Sequence, residues 1–359
     1  MNQEQNNQVK SRAEKPNLHE QAEYGLREQA SGFPMMLVLS FVYPCNALCP
    51  HCPYTNSNIR KEYLDAPFMS EKIFKKIADE AGPHEAYLRI SGGGEPMLHP
   101  QVTELLVYAK SVGAKIGLIT NGSKFDEENS RALLEANVDM IEFSVDAAEE
   151  DTYKVVRAGL SWDELLINTK RMLKLRDEIG SNSKIIASAV QQEGVDINEV
   201  ERLWVNEIGI DYLIKRKFLS WGVNTTIDSK VEQNKLLSAD ASPYLNPEIT
   251  PCPFIFERLN IDSRGNVMVC GYDISANTQM GNVSEKTIEE IWHGEGFQFY
   301  RDKHLKGEGQ KISMCAGCPD WKYRSWKHNY WKVVDNAEKA RLEKKARLGE
   351  HDDFQMAEQ

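Results

Sequence analysis

The chain has 359 residues, 41% of them apolar, and a formal net charge of −11. That length suits one large domain with a smaller one attached, and with no extended Lys/Arg patch a nucleic-acid partner is disfavoured. No apolar run reaches the roughly 18 residues that a membrane span needs, and the polar start Met1-Asn2-Gln3-Glu4 does not read as a secretion signal, so a cytoplasmic protein with no membrane partner is expected.

In chain order, residues 1–33 are polar and aperiodic and read as a flexible arm. From 34 to 221 strand-like runs alternate with helix-like ones. The apolar Met36-Leu37-Val38-Leu39-Ser40-Phe41-Val42 predicts a buried strand, and Ser70 caps a helix over 71–78. Strands follow at 87–90, 115–120, 140–145, 184–190 and 212–214, with helices from 102, 130, 162 and 197 between them. Six β/α steps imply parallel strands joined by right-handed crossovers. The fold class is therefore α/β, and a partial (β/α)6 TIM-like barrel fits, with its chemistry at the carboxyl ends of the strands. Residues 222–251 are turn-rich and read as a linker. In the unit from 252 to 334, Asp262-Ser263-Arg264-Gly265-Asn266 predicts a hairpin and Ser284 a helix cap. Residues 335–359 alternate in charge and read as a solvated helix or a disordered tail.

The first predicted strand leads into Cys45-Asn46-Ala47-Leu48-Cys49-Pro50-His51-Cys52, a Cys-x3-Cys-x2-Cys array. Three thiolates on one loop can hold three irons of a [4Fe–4S] cube and leave the fourth iron open. A zinc site is the rival, with His51 as a fourth ligand squeezed between two of the cysteines. The second strand ends in Ser91-Gly92-Gly93-Gly94-Glu95-Pro96. Glycines there let backbone approach a ligand closely, and a carboxylate beside them can hold an ammonium group.

The cysteine triplet followed by Gly93-Gly94-Glu95-Pro96 resembles the radical S-adenosylmethionine (radical SAM) superfamily. The resemblance implies that SAM fills the open iron site. There an electron from the cluster cleaves SAM to methionine and a 5′-deoxyadenosyl radical that takes hydrogen from the substrate. It also implies that Glu95, with Gly93 and Gly94, contacts the SAM amine. Ser144 and Asp146, ending the fourth strand, lie near the ribose, and Arg157 lies near the methionine part. Asp146 can equally cap the next helix, and Asn121 is a turn residue or a ligand contact. His51 takes the position that is usually aromatic and packs on adenine.

The other four cysteines are Cys252, Cys270, Cys315 and Cys318, the last two forming a Cys-x2-Cys knuckle. Four thiolates saturate a tetrahedral metal or a second cube. Their arrangement resembles the SPASM/Twitch subgroup with a single auxiliary cluster, which implies a small C-terminal α+β iron–sulfur domain and two [4Fe–4S] clusters in all. Three and four make seven, the total number of cysteines, so no thiol is left to return a hydrogen atom to substrate. That count favours net oxidation: hydrogen abstraction from a carbinol carbon of a polyol, aminocyclitol or sugar, then electron transfer to the auxiliary cluster. A peptide-modifying maturase that forms a thioether or carbon–carbon crosslink, or a sugar epimerase, is the alternative. Asp273, Lys215 and Arg216 are the candidates for substrate contact or base, and a flavodoxin or ferredoxin is the expected reducing partner.

Overall fold

The computed structural model describes residues 32–55, 57–63, 65–216, 251–273, 277–316, 318 and 330–348. The predicted arm up to residue 31, the predicted linker up to residue 250, and residues 217–221 and 319–329 lie outside the described residues.

Six parallel strands alternate with helices: β1 (Met36–Leu39), β2 (Tyr87–Ile90), β3 (Lys115–Thr120), β4 (Met140–Ser144), β5 (Lys184–Val190) and β6 (Tyr212–Arg216). Between them run α1 (Ser57–Tyr63) and α2 (Glu71–Ala81) before β2, and α3 (Val102–Ser111) before β3. Helix α4 (Glu127–Glu135) precedes β4, α5 (Glu150–Val156) and α6 (Trp162–Ile179) precede β5, and α7 (Ile197–Glu201) precedes β6. The strands lie in sequence order β6-β5-β4-β3-β2-β1 and the sheet does not close, so this is a partial barrel. Two faces follow from the two-residue period of a strand. Leu37, Leu88, Ile116, Ile141, Ile185 and Leu213 face the helices in the main apolar core. Met36, Tyr87, Met140, Ile186 and Ile214 form a second cluster on the inner face.

The C-terminal unit is not detached from this sheet. Strand β7 (Arg258–Ile261), entered through α8 (Phe254–Glu257), pairs parallel with β1 on the side away from β2. The predicted hairpin forms between β7 and β8 (Asn266–Met268), and β9 (Gln279–Asn282) completes a nine-stranded sheet. Asp262 builds the turn by accepting the amide N–H of Arg264 and of Asn266, each at 2.8 Å. Gly265 sits at φ +84°, where only glycine is unstrained.

Two expectations change. The helix predicted to start at Ser284 is α9 (Ile288–Trp292), capped by Thr287. The Ser284 hydroxyl is bonded to Asn282, while Thr287 and Glu290 form a reciprocal capping box. Helix α10 (Glu295–Leu305) follows. Over residues 335–348 the charged tail forms the expected helix, but one face of it is not solvated, because α11 (Tyr330–Leu348) carries Ala337 into the inner cluster among Met36, Tyr87 and Met140. Lys184 pairs with Glu338 at 2.9 Å, and the Lys344 ammonium donates to the Gly209 carbonyl at 2.6 Å. One apolar stripe on a helix that is otherwise charged thus closes the floor of the barrel.

Replacing Ala337 by Glu puts an unpaired carboxylate into that fully buried floor. A loss on the order of 3 kcal/mol is expected in chemical denaturation, against little change for Lys339→Glu on the exposed side of the same helix.

Candidate functional site

The cysteine loop leaves β1 through the buried Phe41 and Val42 and is tied to the ends of β2 and β3. A Cβ on Gly94 would lie 2.1 Å from the Pro44 carbonyl oxygen, and one on Gly93 would lie 2.1 Å from the Tyr43 ring. The glycines therefore allow close packing against the chain's own loop. The Glu95 amide donates to the Pro44 carbonyl at 3.0 Å. Asn46, inside the loop, accepts from the Asn121 side-chain amide at 2.9 Å and donates to the Ser123 hydroxyl at 2.8 Å. The Thr55 hydroxyl spans the carbonyls of Cys49 and Cys52, and the Leu48 amide donates to Ala158. Asn46 and Ser123 were not singled out in the sequence, because their partners come from other strand ends; Thr55, whose partners lie in its own loop, was missed as well.

None of the seven cysteines is in a disulfide. Burial is the main force raising the thiols of Cys45, to about 11, and Cys52, to about 12, and the neighbouring sulfurs of the triplet add to it. Cys45 and Cys52 so placed become thiolates readily only against a cation, and the loop supplies donors suited to sulfur. The Ala47 amide points at Cys45 at 3.4 Å, and the Arg157 guanidinium reaches Cys49 at 3.6 Å. The donor set fits an iron–sulfur cluster with an open corner. Among the described residues no three His, Cys, Asp or Glu side chains converge closely enough to hold a single metal ion.

Glu95 is buried, and burial raises its carboxyl above the ordinary range despite three donors: the Asn121 and Met97 amides and the Thr120 hydroxyl. Asn121 is thus a structural tie on both its backbone and its side chain. Asp146 is not a helix cap; Glu149 holds that place. Asp146 sits in the left-handed region at φ +54° with its carboxylate fully buried. It accepts the Val190 amide at 2.7 Å and pairs with Arg157 at 2.8 Å and with His51 Nε2 at 3.5 Å. Burial holds His51 down to about 4, so the ring is neutral near pH 7 and turned toward the ends of β4 and β5. Ser144 ends β4 half-buried, opposite Ser188. Cys45, Cys49 and Cys52, together with Glu95, Ser144, Asp146 and Arg157, therefore gather over the strand ends.

In the second unit, the Cys252 amide donates to His304 Nδ1 at 3.2 Å, and Cys270 accepts the Tyr272 amide at 3.5 Å. The Tyr300 hydroxyl is pushed up to about 12 by burial and then by Cys315, Asp273 and Cys270, which places α10 against these thiols. Cys315 and Cys318 close a turn, the Cys318 amide donating to the Cys315 carbonyl at 3.2 Å. Asp273 does not present a free carboxylate to substrate. Its oxygens take the amides of Asn277 and Thr278 and the Thr278 hydroxyl, so it organises the loop after Cys270.

Lys215 points to the helical side of β6, where it pairs with Glu201 on α7 at 2.7 Å, away from the lumen. Arg216, one residue on, faces inward and binds Glu142. Glu142 is almost fully buried: burial alone would raise its carboxyl, but Arg216 and then Arg89 hold it below the usual carboxylate range. Along β2, β4, β5 and β6 the apolar floor thus gives way, two residues later, to a polar layer: Arg89, Glu142, Ser188 and Arg216 above Tyr87, Met140, Ile186 and Ile214. Glu142 and Arg89 went unnoticed in the sequence; a charged residue inside an otherwise apolar strand was the available signal.

Two family models match: the radical SAM superfamily over residues 39–185 and an iron–sulfur cluster-binding domain over residues 252–319. The chain is 24% identical over 304 residues to a tungsten-containing aldehyde ferredoxin oxidoreductase cofactor-modifying protein of Pyrococcus furiosus, covering 74% of this chain and 82% of that one. It is 23% identical over 335 residues to the PqqA peptide cyclase of Xanthomonas campestris, covering 80% of this chain and 81% of that one. Among solved structures, Streptococcus suis SuiB bound to the precursor peptide SuiA superposes with a TM-score of 0.60 at 17% identity, covering 85% of this chain and 73% of that one. BtrN in complex with AdoMet and 2-DOIA does so with 0.51 at 15%, covering 83% and 97%. Likeness at those identities is one of fold.

Arg216→Met leaves Glu142 buried beside Arg89 alone, and a cost of about 2–4 kcal/mol at pH 7 is expected. Glu142's depressed carboxyl contributes stability that is present above its unfolded pKa, about 4.3, and lost as pH falls below it. The deficit of the variant measured by denaturation should therefore shrink between pH 7 and pH 3.5. An equal deficit at both would show that Arg216 acts by packing alone.

Proposed function

The chain belongs to the radical SAM superfamily and carries a SPASM iron–sulfur domain, and we propose that it modifies a peptide, crosslinking it by oxidation at an unactivated carbon. It uses SAM and [4Fe–4S] chemistry, with an additional cluster in the C-terminal unit. One observation carries the peptide reading: a peptide cyclase matches through both domains, over four-fifths of each chain. The open side of the barrel agrees with it. Among the described residues β6 pairs only with β5, and an unpaired strand edge is a surface that can receive an extended peptide.

Cys45, Cys49 and Cys52 would hold the first cluster, and Cys252, Cys270, Cys315 and Cys318 the second. When bound, the first cluster supplies the electron that splits SAM and so begins hydrogen abstraction. The chain's own residues do the rest by position. Glu95, braced by Thr120 and Asn121, orients the amine of SAM at the end of β2. Arg157, braced by Asp146, presents a fixed guanidinium for a carboxylate. Glu142, Arg216 and Ser188 line the lumen below and orient the polar part of the substrate. Of the predicted trio, the inward-facing pair of Arg216 with Glu142 supports Arg216 in that role over Lys215 or Asp273.

A second reading is oxidation of a carbinol in a small polyol, aminocyclitol or sugar. The cysteine count favours it over epimerisation, since two clusters consume every thiol. Both readings remove two electrons from the substrate, and a flavodoxin or ferredoxin suits either as reductant.

Protein reconstituted without air should be turned over with SAM, a reductant and, separately, short peptides encoded beside its gene and a panel of polyols and aminocyclitols. The peptide reading predicts 5′-deoxyadenosine together with a peptide two hydrogens lighter by mass spectrometry. Product formation confined to the carbinols would replace it with the second reading.

A further inference from the structure

Helix α5 packs its carboxyl end on the cysteine loop. The Leu48 amide donates to the Ala158 carbonyl at 2.7 Å, and a Cβ on Gly159 would lie 3.2 Å from the Asn46 carbonyl oxygen. Arg157, at the end of α5, sends one guanidinium nitrogen to the Cys49 sulfur at 3.6 Å and another to Asp146 at 2.8 Å. Its backbone amide donates to the Tyr153 carbonyl at 2.8 Å, so Tyr153 stands one helical turn back on the same face. The Tyr153 side chain is fully buried in the main core, its ring 5.2 Å from that of Trp162. The phenol oxygen is buried as well, and among the described residues it has no hydrogen-bond partner. Burial pushes this hydroxyl above its ordinary range; Arg157 opposes the shift, and the Cys49 sulfur and the Asp146 carboxylate add to it.

A buried hydroxyl without a partner is costly, and a buried tyrosine ordinarily finds an acceptor. Two acceptors are among the groups that act on this one. Asp146 is already engaged by Arg157, by the Val190 amide and by His51. The Cys49 sulfur is met, among the described residues, by one long contact from Arg157. A thiolate accepts more strongly than a thiol, and hydrogen bonds to the sulfurs of an iron–sulfur cluster help to set its reduction potential.

We infer that the Tyr153 hydroxyl donates a hydrogen bond to the sulfur of Cys49 when that sulfur ligates the first cluster, and that this bond raises the cluster's reduction potential. A donor aimed at a ligating sulfur stabilises the more negative, reduced form of the centre. Arg157 brings a charge that Asp146 already matches, whereas Tyr153 adds a neutral donor and leaves the net charge of the site as it is. The inference rests on Cys45, Cys49 and Cys52 being that cluster's ligands; it does not depend on whether a peptide or a carbinol is oxidised. Tyr153 acts through Cys49 and is a positioning residue, not a catalytic one.

Tyr153→Phe removes the hydroxyl and keeps the ring. Full-length wild type and variant, both reconstituted without air, are compared by electron paramagnetic resonance at poised potentials in the absence of SAM and substrate. The first cluster's signal is the one that changes when SAM is added and is missing from protein with Cys45, Cys49 and Cys52 changed to Ala. Its midpoint should be lower in Tyr153→Phe, while the midpoint of the other signal stays where it is. Thermal melting supplies an independent readout. Cluster-free Tyr153→Phe should melt at or above cluster-free wild type, because the hydroxyl it lacks has no partner there. Loading the clusters should then raise the Tm of wild type more than that of the variant. A variant that takes up no first cluster yet keeps that cluster-free Tm also supports the inference, since the hydroxyl then counts only once the sulfurs are ligated. An unchanged midpoint, or a cluster-free variant less stable than cluster-free wild type, makes Tyr153 a core side chain and overturns the inference. An unchanged midpoint with weakened SAM binding assigns the hydroxyl to SAM and overturns it equally. A triple-cysteine variant that keeps every wild-type signal refutes the ligand reading, and the inference falls with it.

Discussion

The arrangement depends on one junction, where the chain leaving β1 is pressed against the chain leaving β2. Gly93 and Gly94 pack so closely on Tyr43 and Pro44 that no Cβ fits, and the Glu95 amide is spent on the Pro44 carbonyl. The Glu95 side chain then turns to β3 and takes the Thr120 hydroxyl and the Asn121 amide. Asn121 and Ser123 reach back to Asn46 in the cysteine loop. Three strand ends are thus joined by one buried carboxylate and one pair of carboxamides. A loop bearing three thiols is held still by groups that are not themselves thiols, as outer-shell partners hold metal ligands in general.

Charge is placed with the same economy. Buried acids are matched with arginines, Asp146 with Arg157 and Glu142 with Arg216. Burial drives the Cys45 and Cys52 thiols away from the thiolate form. The unmatched charges mark the places where a cofactor completes the balance.

The second unit is built onto the barrel and not hung from it. Strand β7 extends the parallel sheet from β1, the same strand that launches the cysteine loop, while α11 returns to close the floor under β1, β2, β4, β5 and β6. Both cysteine sets are thereby fixed to one sheet. The separation between them is set by the elements of that sheet.

Much of this was legible in the residues alone. The six strands stand out because each is a short apolar run bounded by turn or cap signals, and their alternation with helices dictates parallel pairing. The Cys-x3-Cys-x2-Cys spacing and Gly93-Gly94-Glu95-Pro96 declare themselves because all their members lie within one loop. What stayed hidden depends on neighbours remote in sequence. Asn46 and Ser123 acquire meaning only when β1 and β3 bring them together. The solvated appearance of residues 335–348 hides a narrow apolar stripe that becomes visible only against Met36 and Met140. Lys215 and Arg216 look interchangeable as text, but strand alternation sends one to the helices and the other to the lumen. Local pattern determined the elements and the thiol chemistry. The tertiary structure decided which side chains share a space, because burial and pairing are properties of the packed chain and not of any segment of it.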